Sequence, residues 1–156
     1  MRTGKAGIDL IVQFEGLKLR PYKCPAGLWT VGYGTLIGDG KSLPKEWNRQ
    51  FTEPECRALL ERELRSKERG IERLITYHLR QNEFDALISF VYNLGLGCLQ
   101  RSTLRQKLNR GDKEEAVKSL LKYNKARVNG VLQVLRGLDR RRRAEALLFR
   151  SGYERD

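Results

Sequence analysis

The hydrophobic positions divide the chain into stretches of different character. Ile8, Ile11 and Val12 share one face of a short helix, and Gly16 supplies a stop just beyond it. Glu15 then sits in the last turn, against the negative end of the helix dipole. A carboxylate gains nothing there, which hints at a task other than stability.

From Leu17 to Leu43 the periodicity changes. Gly27, Gly32, Gly34, Gly38 and Gly40 punctuate an alternating run from Trp29 to Thr35. β-Branched and aromatic residues between glycines predict short strands, and Gly38-Asp39-Gly40 predicts a turn. Two or three short strands need something to pack on, so this is a small lobe and not a separate fold.

Beyond residue 50 the pattern is helical. Thr52-Glu53-Pro54-Glu55 is a capping box opening a long charged helix towards Gly70, and Ile71, Leu74 and Ile75 suggest a further short one. Phe84, Leu87, Ile88, Val91 and Leu94 fall at helical spacing ahead of Gly95 and predict the central, most apolar helix. Ser102 caps a helix ending near Gly111, and Asp112 caps the next, which carries Ala116, Val117, Leu120 and Leu121. Val131, Leu132 and Leu135 are expected on one of the last helices, with another from Leu138 to Phe149 stopped by Gly152. The expected fold is α+β: a single domain over 1–156, with an N-terminal helix and β lobe over about 7–50 and a helical lobe over about 51–156. A ligand cleft between the lobes would follow.

Composition narrows the chemistry. In 156 residues, 31 Lys and Arg against 19 Asp and Glu leave a net charge of +12, which invites an anionic partner without choosing among nucleic acid, membrane surface and cell envelope. Cys24, Cys56 and Cys98 are odd in number and far apart, with a single His78. Neither a disulfide framework nor a metal set is expected, and no organic cofactor is called for. Cys56 and Cys98 are expected to behave as small buried apolar groups. No apolar run is long enough to span a bilayer, and Met1 to Gly7 carries no signal-peptide core, so the expectation is a soluble protein made in a cytoplasm.

Between residues 15 and 30 the chain reads EGLKLRPYKCPAGLWT. A glutamate held near Phe14, Tyr22 and Trp29 would have its pKa raised, as a general acid requires. Phe14-Glu15-Gly16 with Leu28 to Thr35 resembles the active-site segment of the phage-type lysozymes, the endolysin muramidases of glycoside hydrolase family 24. Gln81 to Gly95 resembles that family's central helix, and Gly137 to Phe149 its last long helix.

The resemblance implies hydrolysis of the β-1,4 bond between N-acetylmuramic acid and N-acetylglucosamine in peptidoglycan, leading to lysis of a bacterial host. It also implies a Glu, Asp and Thr trio at fixed spacing. Glu15 matches the Glu, the general acid, and Thr30 matches the Thr that helps hold water; the middle position is Cys24 in place of Asp. Glycosidases ordinarily use a second carboxylate, and a thiol replaces one well only as its thiolate. Cys24 could serve as base, as nucleophile, or as a bystander beside Glu15.

By the same resemblance Asn93, Gly34, Thr35 and Arg141 are candidates for substrate binding, with Gly34 and Thr35 shaping the cleft floor. Trp29 and Trp47 read as packing residues. Partners implied are peptidoglycan and, through charge, anionic envelope polymers; no nucleic acid, no stable membrane insertion and a monomeric state are expected. The enzyme would wait in the host cytoplasm and act on the wall. The missing Asp keeps a lytic transglycosylase open as an alternative, and a non-catalytic basic binder of cell wall or nucleic acid is the other.

Overall fold

The computed structural model describes residues 1–152. Among them are seven α-helices: α1 Lys5–Glu15, α2 Glu53–Leu74, α3 Gln81–Leu94, α4 Leu96–Arg101, α5 Thr103–Asn109, α6 Lys113–Leu121 and α7 Arg136–Arg150. Five strands accompany them: β1 Lys18–Lys23, β2 Trp29–Gly32, β3 Thr35–Leu36, β4 Lys125–Val128 and β5 Val131–Val134. The α+β architecture is the expected one. The chain forms two compact units, one from Ile11 to Arg65, the other from Met1 to Leu10 together with the chain from Ser66 onward.

In the Ile11–Arg65 unit, β2 is the middle strand of an antiparallel sheet in the order β1-β2-β3. The register pairs Tyr22 with Thr30 and Lys23 with Trp29, and is irregular between Lys18 and Tyr22, where Pro21 has no N–H to give the ladder. Val31, Tyr33, Ile37, Cys56, Leu60 and Leu64 are buried in this unit's core. Gly32 has φ +72°, and a Cβ there would stand 3.1 Å from the Cβ of Cys56, so a bare backbone is required. The capping box forms as the sequence predicts: the Thr52 N–H donates to Glu55 Oε1 at 3.0 Å, and the Glu55 N–H to Thr52 Oγ1 at 3.3 Å.

In the other unit, α7 packs on α3 and α6, and α5 packs on α6. Residues 83 to 91 of α3 are buried without a break, as its apolar pattern predicts. Ser102 and Asp112 cap α5 and α6 through the Arg105 and Glu115 N–H groups. The start of α1 is held by acids: the Thr3 N–H and hydroxyl both donate to Glu68 Oε2 at 2.8 and 2.7 Å, and the Gly4 N–H donates to Asp85 Oδ1 at 2.9 Å. Carboxylates complement the positive end of a helix dipole.

Three local expectations are corrected. Gly70 does not end a helix, because α2 runs on to Leu74 and takes in Ile71. Its missing side chain makes room for Leu96, whose Cδ1 would lie 2.4 Å from a Cβ. Val131 and Leu132 lie on strand β5, not on a helix, paired with β4 through Asn129 and Gly130, whose φ values are +51° and +80°. Two consecutive left-handed residues make the turn that matches the twist of a two-stranded ribbon. Cys98, expected to be buried, is half-buried, while Cys56 is buried; all three cysteines are free thiols.

Candidate active site

Glu15 is the last residue of α1, half-buried, with Gly16 at φ +71° turning the chain into β1. The β1–β2 turn then carries the second candidate. The Cys24 N–H donates to the Leu28 carbonyl at 2.9 Å, and the Gly27 N–H to the Cys24 carbonyl at 2.7 Å, which closes a tight loop with Gly27 at φ +78°. This loop aims backbone N–H groups at sulfur. The N–H groups of Leu28 and Ala26 outweigh the opposing effect of desolvation and hold the half-exposed Cys24 thiol below its ordinary pKa of 9.0. A thiolate stabilised by several donors is the form that can accept a proton or attack carbon.

Thr30 is 5% exposed on β2, and its hydroxyl donates to the Leu28 carbonyl at 3.0 Å. With its hydrogen so directed, Oγ1 presents lone pairs as acceptors. Cys24 and Thr30 therefore meet at Leu28, one through its N–H and carbonyl, the other through its carbonyl. Gly34, at φ +93°, turns the chain from β2 into β3. The Thr35 hydroxyl donates to Glu63 Oε2 at 3.4 Å. Next to it Tyr33, 1% exposed, gives its hydroxyl to Glu53 Oε1 at 3.1 Å; burial, then the Glu53 charge, push this phenol up. A groove of about 380 Å³ in the same unit is lined by Trp47, Arg49, Phe51 and Glu55. None of Glu15, Cys24 or Thr30 lines this groove.

Asn93 and Arg141 belong to the other unit. Asn93 Oδ1 accepts from Arg142 at 2.8 Å. Arg141 is 4% exposed and donates to the Ser89 hydroxyl at 3.3 Å and the Ser89 carbonyl at 3.1 Å. Glu145, fully buried, ion-pairs with Arg141 at 3.4 Å and Arg142 at 2.7 Å, and accepts from the Ser89 hydroxyl at 2.6 Å. Of the arginine run, Arg141 and Arg142 are buried, Arg143 pairs with Asp139 at 2.7 Å, and Arg140 is exposed.

The family model described as phage lysozyme matches residues 12–145. An endolysin of Acyrthosiphon pisum secondary endosymbiont phage 1 is 37% identical over 97% of this chain and 99% of its own length. The endolysin of Bacillus phage B103 is 36% identical, and there the chain spans 57% of the relative. Among solved structures, the muramidase domain of SpmX from Asticaccaulis excentricus superposes with a TM-score of 0.85 at 32% identity, covering 95% of this chain and 97% of that one.

The chain belongs to the phage lysozyme family. Family and fold make it a peptidoglycan-lytic enzyme. Glu15, Cys24 and Thr30 all fall inside the matched segment.

Helical spacing lets arginines of the 140–143 run meet Glu145, as Arg141 and Arg142 do, but residue-by-residue reading misses Ser89 as the third member of the Ser89–Arg142–Glu145 network. Its one local signal is a glutamate three and four residues after two arginines; Ser89, 56 residues before Glu145, carries none. Among the described residues no three His, Cys, Asp or Glu side chains converge to hold a metal ion.

Proposed function

We propose that the enzyme is a muramidase that hydrolyses the β-1,4 bond between N-acetylmuramic acid and N-acetylglucosamine, and that it is an inverting one. Glu15, protonated, gives its proton to the glycosidic oxygen as the bond from that oxygen to C1 of the muramic acid breaks. Water attacks C1 from the opposite face and passes a proton to the Cys24 thiolate. Thr30 accepts a hydrogen bond from that water and orients it. Water thereby adds across the cleaved bond, and both catalytic groups return to their starting state by exchange with solvent.

The reading is supported by the tight Cys24–Leu28 turn, whose Leu28 and Ala26 N–H groups lower the pKa of the Cys24 thiol and so favour the thiolate a base must be. Asn93, Gly34, Thr35 and Arg141 are assigned to the substrate side, Arg141 through the Ser89–Glu145 network that fixes its guanidinium. The enzyme is made in the host cytoplasm, acts on the wall as a monomer, and is drawn to anionic envelope polymers by its charge of +12.

Mass spectrometry of the sugars released from purified peptidoglycan tests the bond and the reaction together. Hydrated reducing-end muramic acid is expected, with the α-anomer appearing first by NMR. Reducing-end glucosamine would sink the muramidase reading, 1,6-anhydro ends would identify a transglycosylase, and a β-anomer would remove the base role. Glu15→Gln should slow release by roughly a hundredfold or more; an unaffected rate would refute its assignment as the acid.

A further inference from the structure

The β4–β5 hairpin stands apart from the core of its own unit. Neither of its faces is covered: Val128 is 37% exposed, and Val131, Leu132 and Val134 are each 57% exposed. Its base is fixed, since the Leu135 N–H donates to the Asn124 carbonyl at 2.9 Å and the Asn124 amide to Asp139 at 2.9 Å. Its tip is stiffened by the left-handed pair Asn129 and Gly130 and by Arg127, which donates to the Gly130 carbonyl at 3.2 Å. A rigid ribbon that exposes four aliphatic side chains gains nothing from them in folding, and apolar patches of this kind mark contact surfaces.

The register says what accompanies them. Directly opposed residues point to the same side, so Arg127 stands beside Leu132 and Lys125 beside Val134 on one face. Val128 and Val131 oppose each other on the second face, at the tip. Between Glu115 and Asp139 the chain carries Lys118, Lys122, Lys125, Arg127 and Arg136 and no carboxylate; of these, Lys122, Lys125, Arg127 and Arg136 are exposed.

This combination selects one occupant. A second copy docked hairpin to hairpin would bring Lys125 and Arg127 against their own counterparts with no acid in the segment to meet them. A nucleic acid or a wall polymer satisfies the cations and leaves Val131 and Leu132 in water. An anionic bilayer satisfies both: aliphatic side chains reach the acyl boundary, and the long cationic side chains beside them lift their charges to the phosphates. We propose that the β4–β5 hairpin is a docking element for anionic phospholipid surfaces, with Val128, Val131, Leu132 and Val134 entering the headgroup layer and Lys125 and Arg127 meeting lipid phosphates.

Such docking is reversible and lies in the interface. No helix among the described residues is long and apolar enough to cross a membrane.

Co-sedimentation of the full chain with vesicles of phosphatidylcholine, with and without about one third phosphatidylglycerol, tests the proposal. The protein is expected to bind the anionic vesicles at least tenfold more tightly than the neutral ones. Val131→Ser with Leu132→Ser removes apolar surface without changing charge, and should weaken anionic binding roughly tenfold while the thermal melt stays in place. Lys125→Ala with Arg127→Ala should weaken it by a similar or larger factor. Serine variants that bind like the parent would reduce the effect to general attraction by a basic protein and overturn the proposal. So would a parent chain that ignores anionic vesicles. A parent that is dimeric in sedimentation velocity without lipid, and made monomeric by the serine pair, would assign the hairpin to a second copy instead.

Discussion

Two hairpins in this molecule are built alike and packed differently. The β1–β2 ribbon and the β4–β5 ribbon are both antiparallel, short, and turned with the help of a glycine at positive φ, Gly27 in one and Gly130 in the other. The first has a third strand along it, and residues 30 to 32 of β2 are buried. The second has no third strand, and every residue of β5 is exposed. Burial makes the first a fixture: Thr30 and the Leu28 backbone cannot drift from the Cys24 sulfur without disturbing a packed sheet. The second has no packed face to constrain it, so its sequence is open to a surface task. A hairpin becomes a place for chemistry when one face is committed to a core.

The comparison can be broken first at Cys24. Cys24→Ala should lower hydrolysis roughly a hundredfold or more, as loss of a general base does; a rate near the parent's would leave the β1–β2 turn without chemistry and remove the contrast. Cys24→Asp should retain much of the rate, with a different pH profile. A base works only deprotonated, so activity in the parent climbs as pH rises through a thiol pKa held below 9.0. The aspartate version should climb at lower pH, as a carboxylate ionises below a thiol. Superimposable profiles would exclude titration of residue 24 as the origin of that limb.

A second test compares strand residues. Val31→Ala, at a fully buried position of β2, should cost about 2 kcal/mol in chemical denaturation. Leu132→Ala on β5 should stay within about 0.5 kcal/mol. Equal losses would mean that the β4–β5 ribbon belongs to a core after all.

The mildest test makes the same backbone change twice. Neither Gly27 nor Gly130 has an atom within 4 Å of the place a Cβ would occupy, so alanine at either meets only the left-handed backbone penalty, about 1 kcal/mol. Gly27→Ala should in addition slow hydrolysis of soluble glycan chains several-fold, by loosening the Leu28 N–H from the sulfur. The same slowing from Gly130→Ala would dissolve the distinction between the ribbons.

Much of this is legible from residues alone. Caps and periodicity are local, and so the Thr52 box, Ser102, Asp112 and the apolar stripe of α3 can be read directly. The β4–β5 ribbon is harder: Val131, Leu132 and Leu135 fall at spacings that suit a helix, although Asn129-Gly130 is the dipeptide that ribbons of this kind prefer. Gly70 looks like a stop because its reason, the side chain of Leu96, lies 26 positions away in sequence. At the candidate site, spacing and resemblance point to Glu15, Cys24 and Thr30. The donors around the sulfur are invisible there, because backbone N–H groups leave no mark in the identity of Leu28 or Ala26. Long-range pairing hides the part of Ser89, 56 positions from Glu145, in the same way.

The three thiols do not share one fate. Burial pushes Cys56 and Cys98 up, while Cys24 is held down and half-exposed. Alkylation and peroxide both follow thiolate character and access. A brief pulse of iodoacetamide should therefore mark Cys24 ahead of the other two, giving a single chemical handle without engineering. The same preference extends to storage: air should oxidise Cys24 first, and if Cys24 is the base proposed above, activity kept in aerated buffer should fall faster without a reductant than with one.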